Sequence, residues 1–334
     1  MRVPAGPEDV TPEWLASVLQ TEVATAEWQT IGQGFGFTGL VGKVAMTGGA
    51  PASVVVKLPM AEGETISGYR AMAQRDVYFQ RAALEARFYS EIQDAPAPRL
   101  YYSAVDEADE RVVIVLEDLT SARQGDDLHG CSIEDAARVV ERIAPFHARW
   151  LGRAPTGFPR WGDRIEARQA GYERNLGVFL ERFGDRLPVE ARTIAERLRP
   201  RLAEVIAPLV AREQTLIHGD LHLDNVLFAA GRPVILDWQT PSIGPAILDV
   251  VMFVFGSLSV EDRRSAADDL LAGNSLDEIR RALLSMFAGV VGGLARPNLD
   301  EMTGRERELY DATVNDEQYV SALLDYGTAE VLAV

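Results

Sequence analysis

The spacing of apolar residues changes along this chain, and the changes divide it. Thr11-Pro12-Glu13-Trp14-Leu15 reads as a helix start. Thr11 is a side-chain N-cap, Pro12 suits the first helical position, and Leu15, Val18 and Leu19 form the apolar face. The period then shortens, and 28–31, 40–46 and 53–58 read as three strands, the last two joined by the hairpin-type turn Thr47-Gly48-Gly49-Ala50-Pro51. Helical spacing returns over 75–92, with Val77, Tyr78, Ala82, Leu84, Phe88, Tyr89 and Ile92 expected to face a core. Two further strands are expected at 99–104 and 111–116.

Beyond Glu117-Asp118-Leu119 the period is mostly helical: 132–150, opened by a Ser132-x-x-Asp135 start signal, then 171–183 and 189–209. Strands reappear only around 215–238, and helix is expected from Gly244 onward. No internal repeat or low-complexity tract interrupts this order. The pattern predicts an α+β protein of two lobes. Residues 1–118 would form a small strand-rich lobe with one long helix, and residues 119–334 a larger, mostly helical lobe carrying a β-hairpin.

Composition narrows the function without naming it. At 334 residues, 47% hydrophobic and 25% charged, the chain can bury a substantial core. A net charge of −17 argues against a nucleic-acid polymer as partner, because a phosphate backbone needs clustered Lys and Arg. The acidity reads as a solubility feature rather than as steering of a cationic substrate. Cys131 is the only cysteine, which excludes an internal disulfide or a cysteine metal cluster and suits a reducing compartment. The first residues lack the apolar core of a signal peptide. The longest apolar stretch, 247–258, is broken by Asp249 and too short for a bilayer, so a cytoplasmic protein without a membrane partner is expected.

The chemistry concentrates in LIHGDLHLDNVLFAAGRPVILDW, residues 216–238. An apolar run ends in His218-Gly219-Asp220, four residues separate Asp220 from Asn225, and a strand–turn–strand then delivers Asp237. This is the spacing of a kinase catalytic loop followed by its metal-binding aspartate, with Gly219 where protein kinases carry Arg. Phosphoryl transfer needs one carboxylate to orient and deprotonate a hydroxyl, the role predicted for Asp220. It also needs hard oxygen ligands for Mg²⁺, offered by Asn225 and Asp237. His218 and His222 have the spacing of a helical zinc pair, but Gly219 and the following hairpin argue against a helix. His218 is expected to brace the loop from a buried position, His147 to be a satisfied core histidine, and Asp249 to cap or anchor the helix that follows it.

A second motif, Gly34-Phe35-Gly36-Phe37-Thr38-Gly39, spells G-x-G-x-x-G. A dinucleotide-binding fold would start a helix directly after Gly39. Here 40–46 continues as a strand, turns, and returns to Lys57, which is the order of a kinase glycine-rich loop whose backbone approaches nucleotide phosphates.

With these residues the chain resembles the aminoglycoside-phosphotransferase-like small-molecule kinases, particularly their ecdysteroid-kinase-like (CHK-kinase) branch. The likeness rests on His218-Gly219-Asp220, Asn225, Asp237-Trp238-Gln239, Gly244-Pro245…Asp249 and Phe146-His147-Ala148. It implies a protein-kinase-like bilobal fold, ATP as donor, Mg²⁺ as cofactor and a hydroxyl-bearing small molecule as acceptor. It further implies that Lys57 anchors the α/β-phosphates, that Glu85 orients Lys57, and that the Glu117 carbonyl and the Leu119 N–H meet adenine. Gly34, Gly36 and Gly39 would cover the phosphates. Asp237-Trp238-Gln239 in place of Asp-Phe-Gly, with no Ala-Pro-Glu after it, disfavours a protein kinase regulated by loop phosphorylation. The alternative of another class is a catalytically silent nucleotide-binding protein of this fold with a regulatory or scaffold role.

Overall fold

The computed structural model describes residues 2–32, 39–58, 75–295, 304–315 and 318–333. By contact the chain divides into two compact units, Met1–Gln124 with Val226–Thr240, and Gly125–Asn225 with Pro241–Val334. The first unit therefore takes in a hairpin from the middle of the segment expected to form the second lobe.

The first unit opens with α1 (Pro12–Leu19), whose N-cap Thr11 accepts a hydrogen bond from the Trp14 N–H. Strands β1 (Thr25–Thr30), β2 (Leu40–Thr47) and β3 (Ser53–Leu58) follow, then α2 (Arg75–Glu91), β4 (Leu100–Asp106) and β5 (Arg111–Glu117). The five strands form one antiparallel sheet in the order β1-β2-β3-β5-β4. Alternate residues of β2 and β3, namely Val44, Met46, Val54, Val56 and Leu58, enter a core shared with Leu15, Val113 and Val115. In β5 every residue from Val112 to Leu116 is buried, because α2 covers the other face through Phe88, Tyr89 and Ile92. The buried face of α2 differs from the expected set: Val77 stands 38% exposed, while Glu85 and Ala86 are buried, at 1% and 2%. The two-residue β6 (Arg123–Gln124) closes this part of the unit.

The second unit begins with α3 (Ile133–Trp150), where the Ser132 hydroxyl accepts from the Asp135 N–H. Next come α4 (Ile165–Phe183), α5 (Val189–Leu198) and α6 (Leu202–Val210). One helix was expected over 189–209. Pro200 falls in the gap between α5 and α6: proline has no N–H to continue the helical ladder, and Arg201 after it leaves helical backbone. The short β7 (Thr215–Ile217) leads into the motif loop. The hairpin β8 (Val226–Ala229) and β9 (Arg232–Ile235) pairs with β6 inside the first unit. The chain then adds β10 (Ser242–Gly244), a strand not expected from the sequence, which pairs with β7. Helices α7 (Ile247–Ser257), α8 (Val260–Leu270), α9 (Leu276–Leu294), α10 (Gly304–Asn315) and α11 (Gln318–Asp325) complete the unit. α9 packs against α4, α6, α7 and α11 and forms its centre. Among the described residues, no helix is long and apolar enough to cross a membrane.

Candidate active site

In the first unit a buried strand end, a helix and a turn converge on one cation. Lys57 ends the alternating strand β3, and its Nζ lies 2.5 Å from Glu85 Oε1 and 2.8 Å from Asp237 Oδ1. Glu85 reaches it from the inward face of α2. Asp237 is aimed by its neighbours: the Trp238 ring is fully buried and stacks on Phe88 with centroids 4.0 Å apart, and its Nε1 donates to the Ile235 carbonyl. Asp237 itself has φ +60°, a left-handed conformation rare outside glycine. Its Oδ1 also accepts from Gln239 Nε2 at 2.9 Å. Strained backbone of this kind persists where the surroundings over-determine it, and such residues gather at functional sites.

Charge in this cluster is only partly matched. Burial disfavours the Lys57 ammonium, but Asp237 and Glu85 more than offset it and hold its pKa above the ordinary lysine value. Burial pushes the Glu85 carboxyl up, and Lys57, which it shares with Asp237, does not fully bring it back. Tyr89, one helical turn from Glu85, is also raised by burial and by these carboxylates.

The other predicted nucleotide contacts are placed unevenly. Gly34 and Gly36 lie outside the described residues. At Gly39 a Cβ would come within 2.9 Å of the Leu58 carbonyl oxygen, so glycine there allows close approach to the strand end that carries Lys57. Glu117 ends β5, donates its N–H to the Arg99 carbonyl and accepts the Arg99 N–H on its side chain. Leu119 lies in the following turn, closed by Ala122 N–H on its carbonyl.

In the second unit the motif loop is held from below by one buried carboxylate. Asp249, on the first turn of α7 and 1% exposed, accepts from the His218 N–H at 2.7 Å, the Gly219 N–H at 2.8 Å and lies 2.9 Å from His147 Nε2. It was expected to serve the helix it begins; it reaches back to the loop instead. Burial would raise its pKa, yet these donors hold it below the ordinary carboxylate value. Gly219 has φ +81°, which only glycine adopts cheaply, so the residue that replaces Arg in the motif is required by the turn. His218 is fully buried and its Nδ1 accepts the Asp220 N–H at 3.2 Å. The result is a rigid, buried scaffold presenting an Asp220 side chain that is 53% exposed.

Asn225 closes the loop. Its Nδ2 donates to the Asp220 carbonyl at 3.0 Å and lies 2.9 Å from His222 Nε2. His222 Nδ1 meets Asp127 Oδ2 at 2.5 Å, and the other Asp127 oxygen accepts the Leu223 N–H at 2.8 Å. The Asp127 N–H donates to Asp224 Oδ1, which also receives Arg305 from α10 at 2.7 Å, and Arg305 pairs with Asp126 as well. Burial disfavours a charge on His222, while Asp127, Asp220 and Asp224 favour it and raise its pKa. The Asp220 carbonyl can only accept, so the nitrogen of the Asn225 amide faces it. The ligand atoms of Asp127, His222 and Asp224 lie within 4.8 Å of one another, but each is taken up by these partners, which makes the group an ion-pair network rather than a set of metal ligands.

Asp127, Asp224 and Arg305 escaped the sequence reading. They are joined across 81 to 97 positions, and only Asp224, inside the motif loop, stood where a local pattern could have drawn attention to it.

The fold and the two charged clusters define a protein-kinase-like small-molecule kinase. Residues 43–284 match the model of the phosphotransferase enzyme family, and the chain belongs to that family. Solved structures repeat the architecture at low identity. A putative aminoglycoside phosphotransferase from Ralstonia eutropha JMP134 is 14% identical, with a TM-score of 0.56 over 96% of this chain and 97% of its own. A choline/ethanolamine kinase family protein from Mesorhizobium loti is 17% identical, with a TM-score of 0.52 over 92% and 93%. A thermostable mutant of an aminoglycoside phosphotransferase, solved with ADP and hygromycin B, is 13% identical, with a TM-score of 0.51 over 96% and 97%. A search of curated proteins returned no significant match.

Proposed function

We propose that this phosphotransferase moves the γ-phosphoryl group of ATP onto a hydroxyl of a small molecule, with Mg²⁺ as cofactor, in the cytoplasm. The observation that carries the reading is the exposed Asp220 carboxylate on a loop whose backbone is locked by buried Asp249 and His218. Asp220 would accept the acceptor's hydroxyl proton as the oxygen attacks the γ-phosphorus. The bond between the γ-phosphorus and the bridging oxygen breaks, and ADP leaves with that electron pair. Lys57 would anchor the α/β-phosphates, kept in place by Glu85, and Glu117 and Leu119 would present backbone groups to adenine, with Gly34, Gly36 and Gly39 over the phosphates. Asn225 and Asp237 fit a hard cation, since both offer side-chain oxygens, and the Asn225 nitrogen is already engaged. Bound Mg²⁺ would neutralise charge on the phosphate oxygens.

The relatives named above include a choline/ethanolamine kinase family protein and an enzyme solved with hygromycin B, so the acceptor is sought directly. A panel of hydroxylated metabolites and antibiotics is screened for acceptor-dependent ADP release. With the acceptor found, Asp220→Ala should lower kcat by roughly 10²–10⁴-fold and leave nucleotide affinity nearly unchanged. Full turnover in that variant would overturn the assignment of the base. Absence of acceptor-stimulated ADP release across the panel would favour a nucleotide-binding protein without turnover.

A further inference from the structure

The chain carries 50 acidic residues against 33 Lys and Arg, yet between 149 and 168 five arginines stand against Asp163 and Glu166 alone. The fold brings two of the five together. Arg164 ends the 3₁₀ turn Trp161–Arg164 that leads into α4, and Arg168 follows one helical turn later. Their frame is fixed. The Pro159 carbonyl accepts the Ile243 N–H at 2.7 Å, Arg160 bridges Ile243 of β10, and a Cβ at Gly244 would come 3.1 Å from the Trp161 Cβ. Trp161 is buried, and the Arg168 guanidinium lies over its ring, 4.5 Å from the centroid.

Stacking covers a face of the guanidinium, but its five donors point outward in the plane and still need acceptors. Arg168 is half-buried, its Nε is shut off from solvent, and among the described residues it has no hydrogen bond and no ion pair. Arg111, Arg192, Arg263 and Arg305 also bury a guanidinium nitrogen without a hydrogen bond, but each of these pairs with a carboxylate. Asp163 and Glu166 are exposed and pair with neither Arg164 nor Arg168. Burial, and after it the charge of Arg164, lowers the Arg168 pKa to about 10, so the group stays charged at neutral pH. Like charges one helical turn apart repel, and a partly desolvated cation without a counter-ion is destabilising. A local carboxylate would relieve both effects, and so would an anion from outside.

We propose that Arg164 and Arg168, at the start of α4, form a binding site for the oxyanion of a small-molecule ligand, a phosphate or carboxylate group. Trp161 holds the Arg168 fork in one plane, its terminal nitrogens meet two oxygens of the ligand, and Arg164 adds a second charge from the exposed side. Planar two-point pairing of this kind suits arginine and not lysine. The site lies in the unit that carries Asp220, but it uses none of the nucleotide or metal residues assigned above and is tested without turnover.

Full-length protein labelled with carbon-13 arginine is titrated with inorganic phosphate, and separately with acetate, while the guanidinium Cζ resonances are followed by NMR. The Arg168 resonance is assigned by its loss in Arg168→Lys. A saturable shift at Arg168 is expected, with a parallel shift at Arg164. In Arg164→Gln the Arg168 shift should need roughly tenfold more of the same ion, and in Arg168→Lys, which keeps the charge and loses the fork, the Arg164 shift should need roughly tenfold more. Arg164 is exposed and outside the Trp161 stack, so the first variant carries the comparison even if the second is poorly folded. The ion that saturates at lower concentration identifies the group as phosphate or carboxylate. No saturable shift at Arg168 with either ion overturns the site. An unchanged midpoint in folded Arg164→Gln or folded Arg168→Lys overturns it as well, because the two arginines then share no ligand.

Discussion

Glu85 and Asp249 are both 1% exposed, and the two compact units stabilise these buried carboxylates in opposite ways. Glu85 faces one ammonium, Lys57, which Asp237 also claims, and its pKa rises. Asp249 faces two backbone N–H groups of the motif loop and a histidine, and its pKa falls. One cluster is charge meeting charge, with a single cation shared between two anions. The other is charge meeting directed donors that belong to the loop itself, so it sets loop geometry. Difference in solvation chemistry, rather than in burial, separates a shared ion pair from a fixed scaffold.

The comparison breaks most sharply at the scaffold. Asp249→Ala leaves two loop N–H groups and His147 without their acceptor in a buried position, where each orphaned donor costs ~1–3 kcal/mol. A loss of about 4 kcal/mol in chemical denaturation is expected, together with loss of turnover. A destabilisation under about 1 kcal/mol would mean that water replaces the carboxylate and that the scaffold is not fixed by it.

The shared cation ranks next. Lys57→Met strands Glu85, and removing one partner of a buried pair costs about 3 kcal/mol when the remaining group stays charged. It need not stay charged. Without Lys57, the carboxyl is raised further by burial, so the folded state binds a proton that the unfolded chain, with an ordinary glutamate, has already released. Stability of this variant should therefore fall as pH rises from about 4 through the raised folded value, a slope weaker in the parent protein. Adding Glu85→Gln should flatten that slope and recover part of the loss. If the single variant is equally stable at about pH 5 and pH 8, Glu85 is already matched by something other than Lys57.

Asp249 also shows what a sequence can and cannot disclose. Its structural role was legible, yet its partners lie 30 and 31 positions upstream, and no local pattern says that a residue opening a helix looks backward. The alternating strands of the first unit, helix α2 and the hairpin before Asp237 were legible because repeating burial writes itself into periodicity. The motif loop was legible because turn geometry and chemistry force residue types at fixed offsets, Gly219 with its positive φ among them. β10, three residues long, is below the length at which period carries information, and the Asp127–His222–Asn225 chain is joined only in space. The division of 189–209 at Pro200 was within reach of the sequence, since proline's missing N–H is a local feature.

The smallest expected effect tests the comparison where both modes act on one carboxylate. Asp118, just beyond β5, accepts from Ser53 Oγ at 2.6 Å, Thr120 N at 2.9 Å and Thr120 Oγ1 at 2.6 Å, and pairs with Lys43 at 2.8 Å. Partial burial is the largest single influence and raises its pKa, but Lys43 and the other donors together more than reverse this, holding it well below the usual carboxylate range. A carboxylate depressed in the folded state contributes stability above its ordinary value, near pH 4, and loses that contribution as pH falls toward the folded value. Since Lys43 is a third exposed, solvent screens the ion pair, and hydrogen bonds supply most of the contribution. Asp118→Asn should cost about 1 kcal/mol near pH 6, and the gap to the parent protein should narrow progressively as pH falls below about 4. The salt dependence of that gap assigns the mode. If molar salt removes most of it, Lys43 dominates and Asp118 behaves as Glu85 does; if the gap survives, directed donors dominate and it behaves as Asp249 does.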